Sequence, residues 1–257
     1  MSKEVWVYGE IRNGELKRVS LELLTVGKQL ATQLKTEISA VVMGYQIGNI
    51  GESFSNHGPL KVLSVENEKL KDYDSDIYTS TLRTMIDMYK PGCLLFPATC
   101  LGNDLASRLA TRLGKSLETN CTGIKVSDGA FETVKPIYGG KFFRHYLYAQ
   151  DEPNIVTIRP KSFEVSVPTG IEPHSKRVDV DLSEGEIKTK VVERYVAKGG
   201  DITEAEVIVA GGRGMGGGEN FSILENLTEI LPGAVVGASR SAVDAGWMAF
   251  DKQVGLT

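Results

Sequence analysis

A glycine-rich loop is the segment of this 257-residue chain with the most specific chemistry. It spans residues 211–218, and Gly212, Gly214 and Gly217 have the GxGxxG spacing of dinucleotide-binding turns. Glycines let the backbone approach a pyrophosphate, and the N-terminus of a following helix supplies N–H donors and partial positive charge. The loop therefore predicts a phosphate-binding turn. A flexible surface loop is the structural alternative, since six of its eight residues are glycine.

Two arginines extend this prediction. Arg213, inside the loop, would add a forked donor that matches phosphate oxygens. Arg240 follows Ser239 at the end of the next predicted strand, where NAD-binding proteins carry an acidic residue for the ribose. An arginine there suits a 2′-phosphate, so an NADP-dependent oxidoreductase is one interpretation. The structural alternatives are an ion pair between Arg240 and Asp244, four residues on, and a helix N-cap role for Ser239.

The remaining reactive side chains form no recognisable site. The histidines are scattered and are interpreted as solvated or hydrogen-bonded structural residues. The cysteines have no CxxC spacing, so neither a disulfide framework nor a thiolate metal site is predicted. Cys93 and Cys100 flank an apolar strand and are interpreted as inert core thiols. These residues are His57, His145, His174, Cys93, Cys100 and Cys121. We predict no catalytic residue and no metal ligand.

The elements that would position the loop follow an α/β pattern. Over the first half of the chain, continuous apolar runs alternate with stretches of helical periodicity, which predicts a parallel sheet covered on both faces. Ser20 is predicted to cap the first helix. The predicted strands are residues 4–9, 38–43, 59–65 and 93–96, and the later helices are residues 78–89 and 101–113.

The pattern changes after residue 120. Short alternating segments at 123–126, 133–138, 142–148 and 154–159 predict an antiparallel extension of the parallel core. Residues 160–176 contain three prolines and are predicted to be loop. The domain junction is expected between residues 180 and 204, which gives an N-terminal α/β domain over 1–190.

The second domain, residues 204–257, is predicted to be doubly wound. A strand at 206–210 precedes the glycine loop, a helix at 219–231 follows it, and a strand at 234–237 comes next. A single strand–helix–strand unit leaves one side of its sheet unpartnered. We therefore expect this domain to be incomplete, with further chain or another subunit finishing it.

Composition excludes several classes of protein. The 29 basic and 33 acidic side chains give a net charge of −4, whereas a nucleic-acid binder needs a basic face. No apolar run approaches the roughly 20 residues that cross a bilayer. The N-terminus carries the acidic Glu4 and lacks the apolar core of a signal peptide. A cytoplasmic location is therefore expected.

Several segments along the chain are similar to one family. In the second domain these are 209–214, Gly218–Glu219–Asn220–Phe221, the string GASRSAVDAGW at 237–247, and 253–257. In the first domain they are Gly102 to Ala106 with Arg108 to Ala110, 138–141 and 157–160. Together they resemble the alpha subunit of electron-transfer flavoproteins, with matches through essentially the whole chain.

The resemblance implies FAD as cofactor and electron transfer as function. It implies that Arg213 contacts the FAD diphosphate and that Ser239 and Arg240 lie against the isoalloxazine ring. It further implies that the stretch Val254, Gly255, Leu256 and Thr257 lines the ring, with the Thr257 hydroxyl at flavin N5. A guanidinium beside a reduced, negatively charged flavin would stabilise it and raise its potential.

The resemblance also implies partners. The first domain would pack against an electron-transfer flavoprotein beta subunit, and the heterodimer would carry electrons to or from an acyl-CoA dehydrogenase-type protein. The chain would thus be an electron carrier, working within an acyl-CoA dehydrogenase or reductase system, rather than a stand-alone enzyme. The 253–257 stretch is similar to members from anaerobes, which favours electron bifurcation with NADH. Two alternatives stay open: the NADP-dependent oxidoreductase, and an adenine-nucleotide-binding regulatory module built on the first domain.

Overall fold

The computed structural model describes residues 4–12, 14–48, 50, 54, 57, 61–127, 130–148, 153–165, 167–168, 174–182, 188–189, 191–193, 202–203 and 205–255. The chain divides into two compact units, Met1–Val191 and Val192–Thr257. Within the described ranges, no helix has the length and apolar character needed to cross a membrane.

Unit 1 is built on a parallel sheet of seven strands. The described strands of unit 1 are β1 (Val5–Gly9), β2 (Ile11–Arg12), β3 (Glu15–Leu16), β4 (Ile38–Gly44), β5 (Lys61–Glu66), β6 (Cys93–Pro97), β7 (Leu117–Cys121), β8 (Gly123–Ser127), β9 (Ala130–Ile137), β10 (Phe142–Leu147), β11 (Asn154–Ile158) and β12 (His174–Arg177). The order in the main sheet is β12–β5–β4–β1–β6–β11–β7, and every neighbouring pair is parallel.

Helices cover both faces of this sheet, as predicted. They are α1 (Arg18–Leu34), α2 (Ser75–Tyr89) and α3 (Cys100–Leu113). Val5 and Val7 of β1 join the apolar cluster that contains α1, while Trp6 and Tyr8 join the cluster that contains α2 and α3. Because successive strand residues point to opposite faces, β1 needs apolar side chains at every position.

Ser20 does not cap α1. The helix begins at Arg18, so Ser20 lies inside its first turn and is buried. Its hydroxyl accepts a hydrogen bond from the Glu10 N–H at 2.9 Å, immediately after β1. Serine is a common N-cap residue, but Ser20 instead holds the chain that follows β1 against α1. Asp74, by contrast, caps α2 by accepting from the Asp76 and Ile77 N–H groups.

The antiparallel extension is confirmed, but one segment assigned to it was wrong. The three strands β10–β9–β8 form a separate antiparallel sheet. Residues 154–159 instead contain β11, a parallel strand between β6 and β7 that is buried along its whole length. Its two polar residues are buried: the Thr157 hydroxyl donates to Asn103 Oδ1 at 2.8 Å, and Asn154 Nδ2 donates to the Gly92 carbonyl at 3.4 Å, while Asn154 Oδ1 has no hydrogen-bond partner among the described residues. These polar residues therefore do not mark a solvated face.

Two further expectations for unit 1 were wrong. β12 lies at the end of the predicted 160–176 loop and pairs with β5 through its backbone, although all four of its residues are exposed and none is apolar. Cys100 is exposed at the start of α3, whereas Cys93 and Cys121 are buried. Burial raises the pKa of the Cys121 thiol to about 12.

Unit 2 contains a three-stranded parallel sheet. Its described strands are β13 (Val207–Gly211), β14 (Ala234–Ser239) and β15 (Gln253–Val254), in the order β13–β14–β15, and its helices are α4 (Ser222–Ile230) and α5 (Arg240–Asp244). Phe221, Ala238 and Ala242 form its small buried core. The predicted strand–loop–helix–strand order is present, and β15 is an additional strand.

Candidate functional site

The glycine loop forms a tight turn after β13. Gly212 has extended backbone, and a single 3-10 turn covers Arg213–Met215. The Met215 N–H donates to the Gly212 carbonyl at 3.0 Å, and the Asn220 side-chain amide donates to the Met215 carbonyl at 2.7 Å. These two hydrogen bonds close the loop on itself, which favours a structured turn over the flexible-loop alternative.

The glycines of the loop have two different roles: Gly211 allows close packing at its start, and Gly214 leaves the backbone in its middle uncovered. A Cβ at Gly211 would lie 2.7 Å from Leu224 Cδ1 and 2.9 Å from the Phe221 ring, so glycine lets this helical segment pack against β13. A Cβ at Gly214 would have no atom within 4 Å. The backbone at Gly214 is therefore accessible to a ligand, as a phosphate-binding turn requires.

Ser239 lies beside this loop at the end of β14. Its Oγ is 3.4 Å from the position that a Cβ on Gly212 would occupy, and it lies 3.1 Å from the Ser241 hydroxyl. Ser239 does occupy the N-cap position of α5, but its side chain makes no capping hydrogen bond. Two hydroxyl groups are thus held together next to the glycine turn.

Arg240 forms the ion pair that was the structural alternative. Its Nε lies 3.5 Å from Asp244 Oδ2, and both side chains are 65% exposed. A solvated pair of this type contributes only a few tenths of a kcal/mol, about 0.3–0.5. The pairing leaves most of the guanidinium open to solvent. In the described part of the chain, Arg213 is exposed and makes no ion pair.

The third strand brings Val254 and Gly255 to the same place. Val254 pairs with Ser239 in the β14–β15 register, and the exposed Gly255 follows it. Leu256 and Thr257, the other two predicted ring-lining residues, lie outside the described residues.

Parallel strands end at one edge of their sheet, and the described site residues therefore lie at the same edge. Gly211 pairs with Ala238, and Ala238 pairs with Gln253, so the residues that follow all three strands share the carboxyl edge. We call this the carboxyl edge of unit 2; it comprises Arg213, Ser239, Arg240, Val254 and Gly255. Ligands of open α/β sheets bind at such edges. Two guanidinium groups, two hydroxyls and an exposed glycine backbone form a donor set that fits an anionic ligand with a diphosphate.

Three residues of this site were not predicted as site residues, although all three lie in the family-similar segments 218–221 and 237–247. Asn220 fixes the loop, Ser241 shares the hydroxyl contact, and Gly237 sets the spacing of the strands. A Cβ at Gly237 would lie 2.8 Å from both Ile208 Cγ2 and Val254 Cγ1, side chains of the two flanking strands. The Ser-x-Ser spacing in the sequence indicates the serine pair. The contacts of Asn220 and Gly237 involve residues of other segments, and no local spacing predicts them.

Unit 1 has its own switch point, between the carboxyl ends of β1 and β6. There the Glu10 carboxylate, on a residue only 5% exposed, accepts a hydrogen bond from the Thr99 hydroxyl at 2.5 Å. The buried Phe54 ring packs close by, 3.2 Å from where a Cβ on Gly9 would be. A phosphate would meet a buried carboxylate and an aromatic ring. This geometry does not favour the adenine-nucleotide module on the first domain.

The scattered histidines form no joint site. His145 Nδ1 lies 2.7 Å from Glu132, and His174 is exposed on β12. His57 differs from the expectation, because it is buried and its Nδ1 has no hydrogen-bond partner in the described part of the chain. Among the described residues, no group of histidine, cysteine or acidic side chains is arranged to hold a metal ion.

Comparisons with known proteins also divide the chain into two parts, with a boundary close to that between unit 1 and unit 2. The electron transfer flavoprotein domain model matches residues 5–198, and the electron transfer flavoprotein FAD-binding domain model matches residues 201–257. The chain is 38% identical to "Protein FixB" of Clostridium saccharobutylicum, over 99% of this chain and 77% of that protein. It is 37% identical to the electron transfer flavoprotein subunit alpha of Clostridium acetobutylicum, over 99% and 78% respectively. The corresponding protein of Bacillus subtilis is 36% identical, over 100% and 78%.

Proposed function

The chain belongs to the electron transfer flavoprotein alpha-subunit family, a family of electron carriers, and from this premise we propose that it binds FAD at the carboxyl edge of unit 2. We further propose that it acts as the alpha subunit of a heterodimer with a beta subunit. The observation that carries the FAD proposal is the strand register: it brings the residues after β13, β14 and β15 to one edge.

The residues at this edge divide into two groups. Arg213 and the open backbone at Gly214 would hold the diphosphate, since a guanidinium and accessible N–H groups are the usual partners of phosphate oxygens. Ser239, Arg240, Val254 and Gly255 would border the flavin ring. Leu256 and Thr257 remain predicted ring contacts, with the Thr257 hydroxyl at N5. Bound FAD would supply reversible electron transfer, and the chain would supply its binding, orientation and charge environment.

Arg240 would tune the flavin through its charge. A reduced flavin carries negative charge, so a nearby cation stabilises it relative to the oxidised form. Asp244 lies 3.5 Å from the Arg240 guanidinium and opposes this effect. The reduction potential of the flavin would therefore depend on both residues: Arg240 would raise it, and Asp244 would reduce that increase.

The partners are proposed on the family resemblance alone. Electrons would pass between the flavin and an acyl-CoA dehydrogenase-type protein, with the other end of the path at a second redox pool. Electron bifurcation with NADH is proposed because the 253–257 stretch is similar to members from anaerobes. The cytoplasmic location stays a prediction.

One preparation tests the FAD proposal. The chain is co-expressed with its beta subunit and purified, and the chromophore is released with acid and identified by chromatography. We expect FAD, with the flavin spectrum lost on its removal and regained on reconstitution. A colourless heterodimer that takes up no FAD contradicts the proposal. Equilibrium dialysis against NADP tests the alternative, because NADP binding without FAD binding would favour the oxidoreductase.

A further inference from the structure

Ser239 lies at a position where a serine side chain ordinarily stabilises a helix. It is the N-cap residue of α5, with extended backbone at φ −67° and ψ 156°. A serine there usually accepts a hydrogen bond from the N–H group two or three residues ahead, which in α5 is that of Ser241 or Ala242. The Ser239 side chain makes no such bond. The orientation of its hydroxyl must therefore have another cause.

The hydroxyl of Ser241 accounts for this orientation. Ser241 Oγ lies 3.1 Å from Ser239 Oγ, which is hydrogen-bond distance, and either oxygen can be the donor. Within the described ranges, neither hydroxyl forms another side-chain hydrogen bond. The bond between the two serines thus takes the place of the helix cap.

The backbone of both serines is held in place. Ser239 pairs with Val254 in the parallel sheet of unit 2. The Ser241 carbonyl accepts a hydrogen bond from the Ala245 N–H at 3.3 Å, and the next residue, Ala242, has no exposed surface. Fixed backbone on both sides brings the two hydroxyls together before any ligand binds. Such preorganisation is what a functional hydrogen bond requires.

The Ser239 hydroxyl also has a side that faces the glycine loop. A Cβ on Gly212 would lie 3.4 Å from Ser239 Oγ and 3.8 Å from Ser239 Cβ. Because Gly212 has no Cβ, this residue leaves that side of the hydroxyl uncovered. A ligand at the carboxyl edge of unit 2 can therefore reach Ser239 without displacing Ser241.

Arg240 lies between the two serines in the sequence but takes no part in their contact. Its Nε lies 3.5 Å from Asp244 Oδ2, and its side chain is largely exposed. Among the residues that the structure describes, no charged side chain is hydrogen-bonded to either serine hydroxyl. The serine pair is thus uncharged, and a ligand can set the direction of its hydrogen bond.

The direction of this hydrogen bond decides what Ser239 can offer to a ligand. If Ser239 donates to Ser241, its hydroxyl has no hydrogen left and can only accept. If Ser241 donates to Ser239, the Ser239 hydrogen is free to be donated outward. A negatively charged group beside Ser239 favours the second arrangement, because it attracts the hydrogen and because each hydrogen bond in a chain strengthens the next.

We propose that Ser241 is a positioning residue that makes Ser239 a hydrogen-bond donor to the reduced flavin, and this rests on the FAD site proposed above. Ser241 acts through Ser239: it keeps the Ser239 hydroxyl from capping α5 and leaves its hydrogen free for the ring. The reduced flavin is the negatively charged form, so this donor stabilises it relative to the oxidised form and raises the reduction potential.

A double-mutant cycle on the FAD-loaded heterodimer tests this role. Redox titration compares the wild type with Ser241→Ala, Ser239→Ala and the double variant S239A/S241A. At the midpoint potential of the wild type, we expect Ser241→Ala to lower the ratio of reduced to oxidised flavin about threefold, as for the loss of one neutral hydrogen bond. Ser241→Ala should have no further effect once Ser239 is alanine, because Ser241 acts only through it.

Two further variants separate positioning from a general effect of losing a hydroxyl. Ser241→Thr keeps a hydroxyl at the same position and should restore the wild-type ratio. Thr228→Ala is the matched control in unit 2, because it removes a hydroxyl that donates to the Glu225 carbonyl within α4 at 2.7 Å. We expect Thr228→Ala to titrate like the wild type.

The structure of the Ser241→Ala heterodimer gives a readout that does not depend on the flavin potential. Without the Ser241 hydroxyl, Ser239 should turn to the Ala242 N–H and cap α5, since this is the usual contact of an N-cap serine. The melting temperature should not fall, because a cap is gained and alanine favours helix. A Ser239 hydroxyl that keeps its wild-type orientation in this variant would overturn the positioning role.

The positioning role and the proposed function fail in different ways. If the wild-type heterodimer contains FAD but Ser241→Ala leaves the ratio unchanged, or lowers it equally in the S239A background, Ser241 does not act through Ser239 and the function stands. If the wild-type heterodimer takes up no FAD, the proposed function is wrong and the role of Ser241 falls with it.

Discussion

Arg240 illustrates how one side chain can fit a structural and a functional interpretation together. The ion pair with Asp244 is present, yet both groups are largely exposed, so the pair contributes little to folding. The same guanidinium lies at the edge proposed to hold the flavin. Separating these interpretations needs a measurement of potential as well as one of stability.

We expect Arg240→Ala to lower the reduction potential of bound FAD. Solvent screens the exposed guanidinium, so its effect should be roughly 1 kcal/mol, or about 40 mV for one electron. Redox titration of the purified heterodimer measures the shift. Asp244→Asn is the matched control, because it removes the same ion pair but leaves the cation, and it should raise the potential or leave it unchanged. Equal potentials in the wild type and Arg240→Ala would exclude a position beside the ring.

Arg213 should affect retention of FAD more than its potential. Removing a guanidinium from a diphosphate costs a charge-assisted hydrogen bond, about 1.5–3 kcal/mol, or roughly 10- to 100-fold in affinity. We expect Arg213→Ala to release FAD during dialysis and Arg213→Lys to retain part of it, as measured by the bound flavin per heterodimer. A shift in potential without loss of FAD would contradict the diphosphate role.

At the scale of the elements, the junction between β6 and α3 is tightly constrained. The Thr99 hydroxyl caps α3 by accepting from the Gly102 N–H at 2.9 Å. Gly102 packs directly on the preceding strand, so that a Cβ there would overlap the Pro97 carbonyl oxygen. Because the overlap is with backbone, no side-chain rotation can relieve it.

Gly102→Ala should therefore destabilise unit 1. We expect a loss of about 2 kcal/mol in the free energy of unfolding, typical of overpacking at a rigid site. Gly48→Ala is the control, because a Cβ at that position would have no atom within 4 Å. Urea denaturation followed by circular dichroism measures both variants. Equal midpoints for the two would show that the β6–α3 junction can separate at little cost.

At the scale of the whole of unit 1, Glu4 links three strands at the amino edge of the sheet. Its carboxylate accepts hydrogen bonds from Trp6 Nε1 at 3.1 Å, Ser39 Oγ at 2.8 Å and Lys61 Nζ at 2.6 Å. Burial alone would raise the Glu4 pKa, but these hydrogen bonds outweigh burial and leave the pKa below its ordinary value of 4.5.

A lowered pKa in the folded state makes stability depend on pH in a known direction. The contribution of Glu4 is complete above its unfolded pKa and is lost as the pH falls through the folded value. We expect Glu4→Gln to reduce the free energy of unfolding by roughly 1–2 kcal/mol at neutral pH. The difference from the wild type should shrink as the pH falls below 4.5. Urea titrations at several pH values measure it, and a difference independent of pH would rule out the charge as its cause.

Much of the local structure follows from the sequence alone. Apolar periodicity predicted β1, β4, β6, α2 and α3 to within a few residues, because burial on one or two faces requires that pattern. The glycine loop and the ends of the strands around it also predicted that Arg213, Ser239 and Arg240 lie at one edge of the sheet, since parallel strands must end there. Their contact with a cofactor stays a prediction.

The tertiary structure alone decided which distant segments meet. Backbone pairing places β11 between β6 and β7 and adds the polar β12 at the far edge, and any residue except proline can make those hydrogen bonds. Ser20 does not cap α1 but accepts a hydrogen bond from the Glu10 N–H. The aromatic side chains of β10 are exposed. Local periodicity reports how much surface a segment can bury; it does not specify the partner, because the partner is chosen by the packing of the whole unit.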